Sequence, residues 1–202
     1  TDPASANRNL ATYWQQKAAI LGVTGQPEEA FKAIVQAERF LPTNDQTPLS
    51  GHIYTESGRY LAQKNKLVEA DSNFCRAIRA YEKLTYPDPG TRLTIVELSL
   101  LTGQYDRAQR ALNNLPTEQI RDGYEILKEY LANCLSVLKN EQTGSQALER
   151  LTKYFSLHPA KVYGWSFDLF DGWLSRSKLA SDKLTALRQL TDTTKERLVK
   201  PQ

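Results

Sequence analysis

The 202-residue chain has no methionine, two histidines and two cysteines. Neither His52 nor His158 has a second histidine one helical turn away or a cysteine nearby, so the usual spacings of a zinc site are missing. No cofactor is expected. Cys75 and Cys134 lie far apart in helical patterns and read as buried single thiols, with a disulfide between them left open. No run of about eighteen apolar residues occurs, so no membrane insertion is expected, and no charged-then-apolar leader is read at the start. The chain therefore reads as a domain excised from something longer, cytoplasmic rather than periplasmic or secreted.

The motifs of common chemistries are also missing. There is neither a phosphate-cradling GxxxxGK[ST] nor a GxGxxG. Gly164-Trp165-Ser166-Phe167-Asp168 opens like a nucleophile elbow but lacks the second glycine and a preceding strand. Asp168 and Asp171 share one helical face, where a solvated polar edge is the plain reading. His158 precedes Pro159 at a helix end, a place that suits a cation. The net charge of +3 is too small to imply nucleic acid, although the last 57 residues carry ten Lys/Arg against six Asp/Glu. No catalytic residues are assigned, and the chain is not expected to be an enzyme.

What the chain does have is a repeat. Thr24-Gly25-Gln26-Pro27-Glu28-Glu29-Ala30 is echoed by Thr102-Gly103-Gln104-Tyr105-Asp106-Arg107-Ala108. Aligning the alanines gives Ala30, Ala70, Ala108 and Ala147, spaced by 40, 38 and 39 residues. Apolar residues follow each at four and seven positions: Ile34 and Ala37, Phe74 and Ala77, Leu112 and Leu115, Leu151 and Tyr154. That spacing describes one face of an amphipathic helix. Pro42, Pro116 and Pro159 are read as stops. Gly25 and Gly103 are read as left-handed helix ends, with Pro27 in the first turn of the next helix.

A second helical stretch precedes each block: Thr12–Val23, Gly51–Gln63, Thr91–Leu101 and Ile120–Leu138. A final pair, Lys161–Ser175 and Ser181–Val199, closes the chain. The pattern predicts an all-α protein of about ten helices in five antiparallel hairpins, with no alternating strand pattern. Small residues, Ala18 and Gly58 on first helices and the four aligned alanines on second helices, let the paired helices approach closely. Tyr163-Gly-Trp-Ser-Phe-Asp-Leu-Phe-Asp-Gly-Trp-Leu174 is the most aromatic stretch. As a helix it has one stripe of Tyr163, Phe167, Phe170 and Leu174 and another of Trp165, Leu169 and Trp173. Such a helix is expected between two neighbours, with Trp165 and Trp173 as the candidate exposed anchors for a partner.

The residues Trp14, Ala18, Leu21, Gly25, Pro27, Ala30, Ile34, Ala37 and Pro42, then Tyr54, Gly58, Leu61, Leu67, Ala70, Phe74 and Ala77, resemble tetratricopeptide repeats. The third repeat keeps Gly103, Tyr105, Ala108 and Pro116, with Arg92 and Val96 where an aromatic and a small residue belong. The fourth keeps Ala147, Leu151 and Pro159. The repeats fall near 11–44, 51–85, 89–117 and 118–159, followed by the helical pair 161–199, in a single domain over 1–202. The period exceeds the family's usual length of about 34 residues, and armadillo- or HEAT-like packing is also compatible with it.

The resemblance implies a right-handed superhelix whose concave face binds a peptide or helix of another protein. Its lining would be Gln15 and Gln16, then His52, Thr55, Glu56, Arg59 and Gln63, then Thr94 and Glu97, then Asn133. The family's carboxylate clamp is absent, because Gln15, Ala19, Glu56, Gly90 and Thr94 stand in its places. Mixed charges at Glu56, Arg59 and Glu97 argue against nucleic acid. The expected function is a non-catalytic protein-interaction module of a bacterial regulatory or assembly protein. The alternative is a docking or sensor domain of a larger enzyme or signalling protein whose catalytic part lies outside this chain.

Overall fold

A computed structural model describes residues 2–42, 45, 47–115, 123–158, 161–162 and 165–199. It is all-α apart from one minimal strand pair. Among the described residues there are ten helices: α1 (Pro3–Val23), α2 (Pro27–Arg39), α3 (Pro48–Gln63), α4 (Leu67–Glu82), α5 (Pro89–Leu101), α6 (Tyr105–Asn113), α7 (Tyr124–Leu138), α8 (Gly144–Leu157), α9 (Asp168–Arg176) and α10 (Ser181–Arg197). β1 (Lys161–Val162) pairs in parallel with β2 (Leu198–Val199). None of these helices is long and apolar enough to cross a membrane. Pro116, Ile120, Pro159, Tyr163 and Gly164, which carried sequence expectations, lie outside the described residues.

The corners between paired helices recur through the chain. Gly25 and Gly103 have φ of +75° and +70°, and Asn65 and Asn140 take the same left-handed place with φ of 59° and 60°. In each corner the next residue donates its N–H to a carbonyl five positions back: Gln26 to Leu21, Lys66 to Leu61, Gln104 to Ser99 and Glu141 to Ser136, at 2.8–2.9 Å. These are Schellman closures, which satisfy carbonyls that a helix end would otherwise leave bare. The Thr-Gly-Gln corners add a side-chain latch. Thr24 and Thr102 donate their hydroxyls to the carbonyls of Ile20 and Leu98, and receive the amides of Gln26 and Gln104. All four aligned alanines, Ala30, Ala70, Ala108 and Ala147, are buried.

Three first helices begin earlier than their apolar stripes. Asp2, Thr47 and Asp88 cap α1, α3 and α5, and Pro3, Pro48 and Pro89 occupy their first turns. A proline there loses no hydrogen bond, and the cap oxygen accepts an otherwise orphaned N–H.

By its internal contacts the chain divides into two compact units, Thr1–Pro87 and Asp88–Gln202, where the sequence pattern reads as one array. In the first unit, α1 packs on α2, α2 on α3 and α3 on α4. Its core joins Ala11, Ala18, Ala30, Ala33, Ile34, Ala37, Ile53 and Tyr60. The α3–α4 contact is close enough that a Cβ on Gly58 would lie 2.4 Å from the Phe74 ring, which explains the small residue there.

In the second unit α5 packs on α6 and α7, and α7 packs on α8. The last two helices do not form the expected simple hairpin. α10 lies chiefly on α7 and α8, while α9 makes smaller contacts with α10 and α5. The aromatic segment was expected as one helix from Lys161. Instead β1 occupies 161–162, and α9 starts only at Asp168, so Trp165 and Phe167 precede the helix.

Candidate functional site

Five of the expected contact residues, His52, Thr55, Glu56, Arg59 and Gln63, lie on α3. His52 and Gln63 are exposed, while Glu56 and Arg59 are half-buried. Arg59 donates to Glu56 from both Nε, at 3.1 Å, and Nη2. Its guanidinium also lies 4.4 Å from the centre of the Tyr60 ring. The head group is therefore oriented by a carboxylate one turn away and by an aromatic face, with its charge still reachable. The His52 ring meets Tyr81 edge-on at 5.7 Å. Thr55 spends its hydroxyl on the Gly51 carbonyl at 2.9 Å. Gln15, half-buried, and Gln16, exposed, lie on α1.

The other five expected residues belong to the second unit, and two of them have a different setting from the one expected. Glu97 and Asn133 are buried. The reason is enclosure: α5 has α6, α7 and α9 around it, and α7 has α5, α6, α8 and α10. A polar residue beside the core positions of such helices has no water to face. Asn133 donates its amide to the Glu129 carbonyl at 2.8 Å, but its Oδ1 has no hydrogen-bond partner among the described residues. Thr94 is half-buried and bonded to the Gly90 carbonyl at 3.0 Å. Trp165 and Trp173 are half-buried, and Trp173 packs on Phe170 at 5.4 Å. The rings of Phe167 and Phe170 meet Tyr130 of α7 edge-on at 5.6 and 5.7 Å.

Glu97 anchors a buried group of ionisable side chains. Burial pushes its carboxyl up to about 8, and its charge reaches both Tyr130 and Cys134. Burial likewise raises the Tyr130 phenol and the Cys134 thiol well above their ordinary values. The Tyr130 hydroxyl pairs with Thr191 of α10 at 2.9 Å, and Thr191 donates to the Leu187 carbonyl. Burial thus favours the neutral form of all three acids inside a packed core, which keeps the thiol and the phenol from acting as nucleophiles. The sequence pattern did not single out this group. A signal was present, because Leu93-Thr-Ile-Val-Glu-Leu-Ser-Leu-Leu101 is apolar on all sides and so marks a fully enclosed helix.

The remaining chemical candidates are accounted for locally. Asp171 accepts from Lys195 of α10 at 2.7 and 2.9 Å, so it is a bridge between helices and does not pair with Asp168. His158 caps α8, with Nδ1 2.8 Å from the Tyr154 carbonyl and its ring stacked on Tyr154. Among the described residues no three His, Cys, Asp or Glu side chains are placed to hold a metal ion. A cleft of about 970 Å³ lies where the α7–α8 corner meets the first turn of α10, lined by residues including Gln142, Thr143, Asp182 and Lys183. None of the expected contact residues lines it. No protein-family model, curated protein or solved structure matches the chain.

Proposed function

We propose that the chain is a non-catalytic protein-interaction module, a tetratricopeptide-like superhelix of helical hairpins that binds a peptide or helix of a partner in a bacterial regulatory or assembly protein. The observation that carries this reading is the pre-oriented Arg59 on α3, fixed by Glu56 and Tyr60 beside exposed His52 and Gln63. A held but reachable arginine loses little side-chain freedom on binding, which is why such residues contribute strongly at interfaces. Two further features support it. The corner geometry recurs four times, as expected of stacked hairpins, and the grouped acids Glu97, Tyr130 and Cys134 are enclosed and neutral.

The test is affinity capture on the immobilised chain followed by cross-linking mass spectrometry, repeated with Arg59→Glu. The expected result is specific capture that falls at least tenfold in the variant, with cross-links on α3. Capture unchanged by Arg59→Glu moves the site elsewhere and defeats this reading of α3.

A further inference from the structure

The repeat assigns a second contact surface that sequence reasoning missed. In register, each residue of α1 corresponds to the one forty positions on in α3, with Trp14 over Tyr54 and Ala18 over Gly58. Four equivalent pairs differ most, exposed in α1 and buried in α3: Leu10 and Ser50, Tyr13 and Ile53, Lys17 and Ser57, Ile20 and Tyr60. Tyr13 is 55% exposed against 0% for Ile53, and Ile20 is 63% exposed against 2% for Tyr60. Leu10 and Lys17 are exposed where Ser50 and Ser57 are buried. The steps of three, four and three residues place all four on a single helical face.

On α3 that face is occupied. Ile53 and Tyr60 join the core formed by Ala30, Ala33, Ile34 and Ala37 of α2, and Phe31 of α2 packs on Tyr60 at 6.2 Å. At two positions of the stripe, 13/53 and 20/60, both helices carry a tyrosine and an isoleucine, in exchanged order. So the chain itself shows what covers such a face: a helix with a small and aliphatic surface, lying as α2 lies on α3. One difference sets the chemistry of the missing occupant. Where α3 has Ser57, α1 has Lys17, its Nζ 4.8 Å from the centre of the Trp14 ring, and α1 contains Arg8 and Lys17 but no acidic residue.

We propose that the Leu10–Tyr13–Lys17–Ile20 stripe of α1 docks an amphipathic helix of a partner protein, with alanine and aliphatic residues toward Tyr13 and Ile20 and a carboxylate toward Lys17. Resting on the interaction-module reading, it adds a site separate from Arg59. A second copy of α1 is a poorer occupant, because two helices that each carry only positive charge would repel across the contact.

The probe is a peptide of residues 26–41, the α2 sequence, with Glu28 and Lys32 joined as a lactam to hold the helix. Both lie well exposed on α2. Its binding to the full chain is followed by amide chemical shifts. Saturable shifts are expected on α1, centred on residues 10–20. Tyr13→Asp or Ile20→Asp should weaken binding at least tenfold, with unchanged circular dichroism because both sites are exposed. Lys17→Glu should weaken it about fivefold, and a peptide carrying Glu29→Lys and Glu38→Lys should restore binding to that variant. Val68→Asp, at an exposed site on α4, is the control and should leave binding unchanged.

Shifts elsewhere, or none on α1, overturn the proposal. So does concentration-dependent self-association lost in Tyr13→Asp, which makes a second copy the occupant. Binding to phosphatidylglycerol vesicles that depends on Tyr13 and Lys17, without peptide binding, makes a membrane surface the occupant and also overturns it. Partner capture that needs Arg59 while α1 stays silent removes this inference and leaves the interaction-module reading standing.

Discussion

The two units carry the same corners and fill the space between helices differently. In Thr1–Pro87 the core shared by α1, α2 and α3 is alanine with isoleucine and tyrosine, and the polar residues Glu56 and Arg59 of α3 stay within reach of water. In Asp88–Gln202 two helices, α5 and α7, are surrounded, and a carboxyl, a phenol and a thiol are enclosed with them. A regular hairpin stack leaves first helices one open face, where polar residues stay in reach of water. Once α10 is laid on α7 and α8, equivalent positions become interior, and the same residue types turn into buried groups with shifted ionisation.

The largest effect that would sharpen this contrast is one of pH. The Glu97 carboxyl is raised from its ordinary 4.5 to about 8 in the folded chain. Between those values the unfolded chain has lost the proton and the folded chain keeps it, so stability falls as pH rises. The contribution is fully present below about 4.5 and gone above about 8, at about 1.4 kcal/mol per pH unit crossed at most. Hydrogen exchange should therefore show α5 and α7 opening more readily at pH 8 than at pH 5, with α2 and α3 far less affected. Glu97→Gln should flatten the dependence; an undiminished pH response in that variant would break the comparison.

Overpacking comes next. Ala70→Leu and Gly58→Ala both crowd the α3–α4 contact and should each cost roughly 1–3 kcal/mol in denaturant titrations, through a Phe74 ring already 2.4 Å from where the Gly58 Cβ would stand. An Ala70→Leu protein that melted like the parent would mean the repeat register is misplaced.

The corners test what the units share. Gly25→Ala and Gly103→Ala meet no atom within 4 Å, so their cost is the left-handed backbone alone, about 1–2 kcal/mol each. Similar losses in the two units are expected from thermal melts, because the corner is local. A loss at one and none at the other would show that the corners are not equivalent.

The smallest effect is that of Tyr130→Phe, which deletes the hydroxyl that meets Thr191. Thr191 keeps its bond to Leu187, so the loss should be about 1 kcal/mol by urea titration. A far larger loss would show that the polar group acts as a connected network.

The regular parts of this fold could be read from sequence because they are local. Thr-Gly-Gln announces its own corner, and four buried alanines follow from one period. Lys64-Asn65-Lys66 makes the same corner less visibly, since asparagine tolerates positive φ but does not advertise it. The fourth corner is masked by its extra residues, which cap α8 through reciprocal bonds between Thr143 and Gln146. Helix starts at Pro3, Pro48 and Pro89 were written in cap chemistry, not in the apolar stripe. Two features lay beyond local pattern. The pairing of 161–162 with 198–199 joins distant residues, and the burial of Glu97 and Asn133 depends on how many helices surround their own. The polar face of α3 was legible as polar residues beside core positions. The α1 stripe was not, because Tyr13 and Ile20 look like core until their counterparts in α3 are compared for exposure.

The placing of the two cysteines has a practical consequence. Both are thiols; Cys75 on α4 is half-buried, and Cys134 on α7 is wholly enclosed. A thiol-specific reagent added to the native protein should consume Cys75 promptly and reach Cys134 only when the second unit opens. The wild-type chain thus carries a fast internal standard in one half and a slow reporter in the other, and their ratio of labelling rates measures opening of the second half without an introduced probe.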